Sequence, residues 1–368
     1  MVSAQAGASA AWWKPRKTCI ASNYARRTPA PRVAGGLHRI ANRKVILKSQ
    51  KTSWGGPTDS GLRLSVRFLM RKSVGSLDCA SMLFPHLPSQ VRARDGLALH
   101  LLHWPVASPK GVVVLLHGLS EHGQRFKETT QCINEAGWAV VAPDLRGHGL
   151  SEGPRGAMSQ DDDYLHDLAA VLDTVAAAYP GAKLVLMGHS MGGALAARFA
   201  AAQALPREDV PWARALDGLV LSTPALQATM SLIQRALLST MGRLIQDVAV
   251  PVAFKPEWCN SDPAVIAEFN ADPLAHKKIT PRVALFLAGQ GPIVMRRAPA
   301  WTAPTLMLYT PHDKLVVPQA CVRFMQAMPP DLATMHVFPG LLHDMLREPG
   351  RDRVHTALQQ WLTTTFTA

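Results

Sequence analysis

Acidic residues are almost missing from the first 75 positions, which hold one, Asp59, against 15 lysines and arginines. The rest of the chain carries 24 basic and 25 acidic side chains, so the overall charge of +13 belongs to an N-terminal appendage. A near-neutral body lacks the electrostatic footprint of a phosphate-backbone binder, which excludes nucleic acid as the working partner. Cysteine is scarce as well. Cys19, Cys79, Cys132, Cys259 and Cys321 are odd in number and lack metal-ligand spacing, so they read as reduced, mostly buried thiols. No apolar run reaches the roughly 18 residues of a membrane-spanning helix. The N-terminus also lacks the basic, apolar and small-residue order of a signal peptide. The expectation is a soluble, cytoplasmic body; peripheral membrane contact and organellar import through the basic segment stay open.

Residues 1–80 are rich in Arg, Ala, Ser and Gly and show no sustained period. Three readings compete for them: a disordered tail, a transit peptide, or sequence upstream of a true start at Met70 or Met82. Order begins near Gln90. Two alternating strands flank the Asp95-Gly96 turn, and continuous apolar strands follow at 112–116, 138–142, 183–187, 218–221, 305–309 and 333–338. Helical patterns at 126–136, 161–178, 191–204, 319–327 and 351–363 alternate with them. Buried strands separated by helices predict an α/β domain over 88–368, its mostly parallel sheet covered on both faces. About 225–300 breaks the alternation and reads as a helical insertion.

The chemistry starts in Lys183-Leu-Val-Leu-Met-Gly-His-Ser-Met-Gly-Gly193, a G-x-S-x-G pattern between a strand and a helix. That turn lifts the Ser190 hydroxyl above the sheet edge. A serine is a poor nucleophile at neutral pH, so it needs a base in contact and an acid to orient the base. Asp313, past the strand ending at Tyr309, is the acid candidate, and His343, past Phe338, is the base candidate. Alone, either could be an ordinary loop residue; His336 and His355 lie inside a strand and a helix and compete poorly. Two backbone N–H groups must receive the oxyanion. Met191, the residue after the serine, and Leu119, in the loop His117-Gly118-Leu119 after the first apolar strand, are the candidates.

The strings HGLSEHGQRF, APDLRGHGLSEGPRG, GHSMGG, FNADPLAH and PGLLHDMLREP resemble the monoacylglycerol lipase and lysophospholipase group of serine α/β-hydrolases, an S33-aminopeptidase-like family. The resemblance runs from about residue 90 to the C-terminus. It implies the α/β-hydrolase fold with a helical cap, Ser190, Asp313 and His343 as the triad, and Leu119 and Met191 as the oxyanion donors. It also implies a structural role for Asp144–Gly149 and a pocket lined by His117, Gly118, Glu121, His122 and Arg125. Two stretches depart from the family pattern: Thr310-Pro311-His312 before the acid, and Val283–Met295 in the insertion.

Within the insertion, Ile233, Leu237, Met241, Leu244 and Val248 recur at helical spacing. One such stripe packs a cap onto a body. The added width from Leu232, Leu238 and Ile245 predicts a second apolar surface toward a pocket or a lipid interface, with Ile233, Leu237 and Met241 as pocket residues. The expected activity is hydrolysis of acyl esters through an acyl-serine, on monoacylglycerols or lysophospholipids, with no cofactor and no metal. The alternatives are a short-chain carboxylesterase or an aminopeptidase of the same fold. A receptor that keeps the fold without catalysis is the competitor from another class, with a membrane-surface adaptor built on the basic N-terminus behind it.

Overall fold

The computed structural model describes residues 86–203, 210–229, 238, 240, 242, 244–252 and 254–367. Strands β1 (Gln90–Arg92) and β2 (Ala98–Trp104) form the expected hairpin. They lead to β3 (Gly111–Leu116), β4 (Ala139–Pro143), β5 (Lys183–His189) and β6 (Gly218–Ser222). Beyond the insertion come β9 (Thr305–Tyr309) and β10 (Ala333–Val337). The sheet order is β1-β2-β4-β3-β5-β6-β9-β10, antiparallel at β1-β2-β4 and parallel from β4 onward. This is the α/β-hydrolase fold. Parallel strands direct all their carboxyl ends to one edge, where the loops after β3, β5, β9 and β10 meet.

Alternation along β3 shows why the sheet is covered on both sides. Val112, Val114 and Leu116 join one core with helices α2 (Asp163–Ala178) and α3 (Ser190–Ala200). Val113 and Leu115 join another with α1 (Lys127–Glu135) and the last helix, Asp352–Thr365. Cys132 and Cys321 are buried free thiols and Cys259 is a half-buried one; Cys19 and Cys79 lie outside the described residues.

The Asp144–Gly149 loop is fixed by charge. Arg146, 2% exposed, makes a two-pronged contact with Asp167 at 2.5 and 2.7 Å and reaches Asp163 at 3.0 Å and Asp95 at 2.9 Å. Asp144 then accepts from the Gly123 and Leu150 amides at 2.8 and 2.9 Å, tying this loop to the one after β3.

The insertion contains a short antiparallel pair, β7 (Val250–Pro251) with β8 (Lys278–Ile279), and helices Pro263–Ala271 and Pro281–Arg297. Thr280 caps the second helix by accepting from the Val283 amide, with Pro281 in the first turn where a missing N–H costs nothing. The helical stripe expected to reach Val248 stops short. Residues 244–247 form turns and a bend, and Leu244 is 78% and Val248 55% exposed. Beyond them the Val250–Pro251 backbone pairs with β8, and a proline at 251 could not continue a helix through this stretch. Ile233, Leu237 and Met241 lie outside the described residues.

Candidate active site

The Ser190 turn is strained and enforced. Ser190 has φ of +52°, left-handed backbone that a residue with a Cβ rarely adopts. The close packing around it excludes side chains at its flanks. A Cβ on Gly188 would lie 2.3 Å from the Gly192 carbonyl oxygen, and one on Gly192 would lie 2.4 Å from that of Leu116. Strain of this kind persists where surrounding packing over-determines the turn. Helix α3 starts at Ser190 itself, so its N-terminal dipole points at the space above the serine.

The loops after β9 and β10 bring Asp313 and His343 together. His343 Nδ1 donates to Asp313 Oδ2 at 2.6 Å, and both side chains are nearly sealed from solvent, at 4% and 1% exposure. The other Asp313 oxygen accepts from the Leu315 and Val316 amides at 2.8 and 3.0 Å. Burial alone would raise the Asp313 carboxyl, but the facing imidazole and those amides outweigh it and hold it below its usual range. Burial alone would lower His343, yet the charge and hydrogen bond of Asp313 raise it above an ordinary imidazole. Thr223 Oγ1 and Thr310 Oγ1 anchor this loop by donating to the His343 and Leu341 carbonyls at 3.1 and 2.7 Å. With Nδ1 engaged, Nε2 is the His343 nitrogen left for the cavity that Ser190 also lines.

The loop after β3 is held from behind. The Leu145 amide donates to His117 Nε2 at 2.9 Å, so the proton sits on Nδ1, which donates to the Gly118 carbonyl at 2.7 Å. Glu121 Oε1 accepts from the Gly118 amide at 2.6 Å. A Cβ on Gly118 would meet that oxygen at 2.7 Å and the Ser190 Cβ at 3.3 Å, which explains the glycine. Leu119 and Met191 both line the cavity, and among the described residues neither amide donates a hydrogen bond. Two free N–H groups beside the serine suit a developing oxyanion.

Of the remaining sequence candidates, Gly118, Glu121 and Arg125 line the cavity. His117 sits beneath the loop, fully buried, and His122 turns to the insertion, where Nε2 donates to Asp272 at 2.8 Å. Other ties join insertion to body. The His276 amide donates to the Ser120 carbonyl at 3.1 Å, the Asp344 amide to the Cys259 carbonyl at 2.8 Å, and Ser261 Oγ to Glu348 at 2.8 Å.

The cavity measures about 680 Å³. Val252, Phe254, Ile266, Phe269, Ile279 and Leu287 represent its largely apolar wall. Its polar lining includes Glu121, Arg125, Asn260 and Asp344, the last next to His343 in the chain. Arg125 pairs with Glu121 at 3.4 Å, but among the described residues its Nε and Nη1 make no hydrogen bond, and neither does Asn260 Nδ2 nor Asp344 Oδ1. Burial, with Glu121 next to it, pushes the Asp344 carboxyl up to about 7. Glu121 moves down despite its burial, because His189 and Arg125 favour its charge. Burial beside Glu121 thus favours the neutral form of Asp344. Sequence reasoning missed Asn260 and Asp344. Asp344 was adjacent to the base, but nothing in a His-Asp dipeptide shows that the second side chain enters the cavity.

A family profile described as serine aminopeptidase, S33, matches residues 107–350. A monoacylglycerol lipase of Mycolicibacterium smegmatis is 31% identical over 261 residues, covering 70% of this chain and 90% of its own. The human monoglyceride lipase is 28% identical over 275 residues, covering 73% and 86%. The crystal structure of a Paleococcus ferrophilus monoacylglycerol lipase superposes with a TM-score of 0.63 at 27% identity, covering 73% of this chain and 99% of the other.

Proposed function

The chain belongs to the serine aminopeptidase S33 family of α/β-hydrolases and is a hydrolase of carboxylic ester bonds, and on that premise we propose that it cleaves monoacylglycerols or lysophospholipids through an acyl-serine. His343 Nε2 takes the Ser190 proton as Oγ attacks the ester carbonyl, while Asp313 orients the imidazole and stabilises its charged form. The Leu119 and Met191 amides hold the oxyanion. Collapse of the tetrahedral intermediate breaks the ester C–O bond, and His343 returns the proton to the departing alcohol. Water, deprotonated by the same nitrogen, then releases the carboxylic acid and restores Ser190.

The observation that carries the substrate class is the cavity's lining, mostly apolar with a few under-satisfied polar groups. Each buried polar atom without a partner costs about 1–3 kcal/mol, which a head group with several hydroxyls offsets. Each acyl methylene taken from water adds about 0.8 kcal/mol. Both gains need a long chain joined to a polyol or similar polar head. Ile245 and Val250 are exposed and also line the cavity, which puts them at its rim, with exposed Leu244 and Val248 close by in the chain; this suits contact with a micelle or membrane surface.

The test compares p-nitrophenyl esters with monoacylglycerols across chain length. Rising kcat/KM toward long chains, with preference for the glyceryl head lost in Asn260→Ala, supports the reading. Best turnover of acetate or butyrate esters replaces it with a short-chain esterase.

A further inference from the structure

The insertion helix Pro281–Arg297 has two working faces. Pro281, Ala284, Leu287 and Ala288 line the cavity that holds Ser190. Arg282, Phe286, Gln290 and Ile293 line a second cavity of about 540 Å³, completed by Leu165 of α2, Arg198 of α3 and Trp212. That volume lies within the range of small-molecule sites.

The charges around this second cavity are committed, with one exception. Arg282 binds Asp161 and Asp247, each at 2.8 Å. Asp162 binds Arg94 at 2.5 Å and lies 3.2 Å from His166. Arg198 has no hydrogen-bond or ion-pair acceptor among the described residues. Its guanidinium stands 4.7 Å from the centroid of the Trp212 ring. Burial, then the like charge of Arg297, pushes that guanidinium below its ordinary value. A second orphan lies in the same cavity. Gln290 is 5% exposed, its Nε2 donates to the Phe286 carbonyl, and its Oε1 accepts from nothing among the described residues.

A half-buried cation with no counter-ion among the described residues, an unused acceptor, and an aromatic and aliphatic wall describe one kind of ligand. The cation asks for an anion, Gln290 asks for a hydroxyl, and the wall asks for hydrocarbon. We propose that this second cavity binds an amphipathic carboxylate, with the carboxylate on Arg198 and the chain against Trp212, Phe286 and Ile293. A hydroxyl on that chain satisfies Gln290 Oε1. Fatty-acid anions, released by ester hydrolysis, belong to this class; that link rests on the function proposed above, whereas the site does not. Because one helix lines both cavities, an occupant here bears on the wall of the catalytic one.

The test is photolabelling of the full chain with decanoate bearing a terminal diazirine, mapped by peptide mass spectrometry. The expected labels fall on Trp212 and on the Phe286 and Ile293 face of the helix. Excess 3-hydroxydecanoate suppresses them better than decanoate does, while decanol and inorganic phosphate do not. Arg198→Gln weakens labelling about tenfold, the worth of one charge-assisted hydrogen bond, and Arg198→Lys restores part of it. Labels confined to residues around Ser190, or equal protection by decanol, overturn the proposal; so does protection by phosphate alone. If Arg198→Gln does not fold, the competition on the wild-type chain decides. Labelling of this site in a chain that hydrolyses no ester would separate failure of the function from failure of this site.

Discussion

The sheet edge and the insertion above it are built by different physics. At the sheet edge the groups that position the site are tied down: Asp313 by two amides and an imidazole, the His343 loop by two threonines, the loop after β3 by His117 and Glu121. In the insertion, helix Pro263–Ala271 has no buried residue and the β7–β8 pair is two residues long. It is held to the body by a handful of hydrogen bonds and a mostly apolar wall. The edge is organised to hold angles and protons, and the insertion to present apolar surface. On the function proposed above, chemistry belongs to the first and substrate choice to the second.

Substitutions at the edge should be the most damaging. Ser190→Ala or His343→Ala should lower kcat on the order of 10⁶-fold with the fold intact, read by steady-state kinetics beside circular dichroism. Retained activity would detach the chemistry from this edge. Next in size is Arg146→Ala, which leaves the buried Asp167 without its two-pronged partner and removes one contact each from Asp163 and the exposed Asp95, and should cost about 3–5 kcal/mol in urea unfolding. A smaller loss would mean that the loop linking the edge to α2 is held by packing instead.

The pH response sharpens the contrast further. Because His343 is raised and must be neutral to act, kcat/KM should climb with a midpoint above that of a free imidazole as pH increases. Asp344 acts on stability. Its folded value is also raised, so its contribution is intact below the unfolded carboxyl value near 4 and is lost as pH rises toward 7. Asp344→Asn should flatten that decline, by roughly 1–3 kcal/mol between pH 5 and pH 8 in urea titrations. An unchanged slope would remove the proton from Asp344. The smallest effect concerns the rim. Leu244→Glu with Val248→Glu should slow hydrolysis of micellar monoacylglycerol several-fold while sparing a soluble ester, as lost apolar contact with an aggregate would. Equal slowing of both would place the rim in the fold instead of at the lipid surface.

The same contrast governs what the sequence revealed. Sheet strands announce themselves as continuous apolar runs, so Ser190, Asp313 and His343 could be named as candidates just past strand ends before any coordinates. Strand ends shifted by a few residues, as in β2, which continues to Trp104. The insertion was harder because its apolar residues serve packing, cavity and rim together. The stripe through Leu244 and Val248 has helical spacing, yet pairing of Val250–Pro251 with Lys278–Ile279, far along the chain, decides the local structure. Asn260 and Asp344 were invisible for a related reason. Their meeting depends on the Asp344 amide reaching the Cys259 carbonyl, a contact between distant segments that no periodicity records.

The most direct test of the central claim is reaction with a hexadecyl fluorophosphonate followed by peptide mass spectrometry, with and without 1-oleoylglycerol. A single adduct on Ser190, slowed by the monoacylglycerol and absent from Ser190→Ala, is the predicted result. A folded chain that stays unlabelled, or carries its adduct elsewhere, would contradict the account.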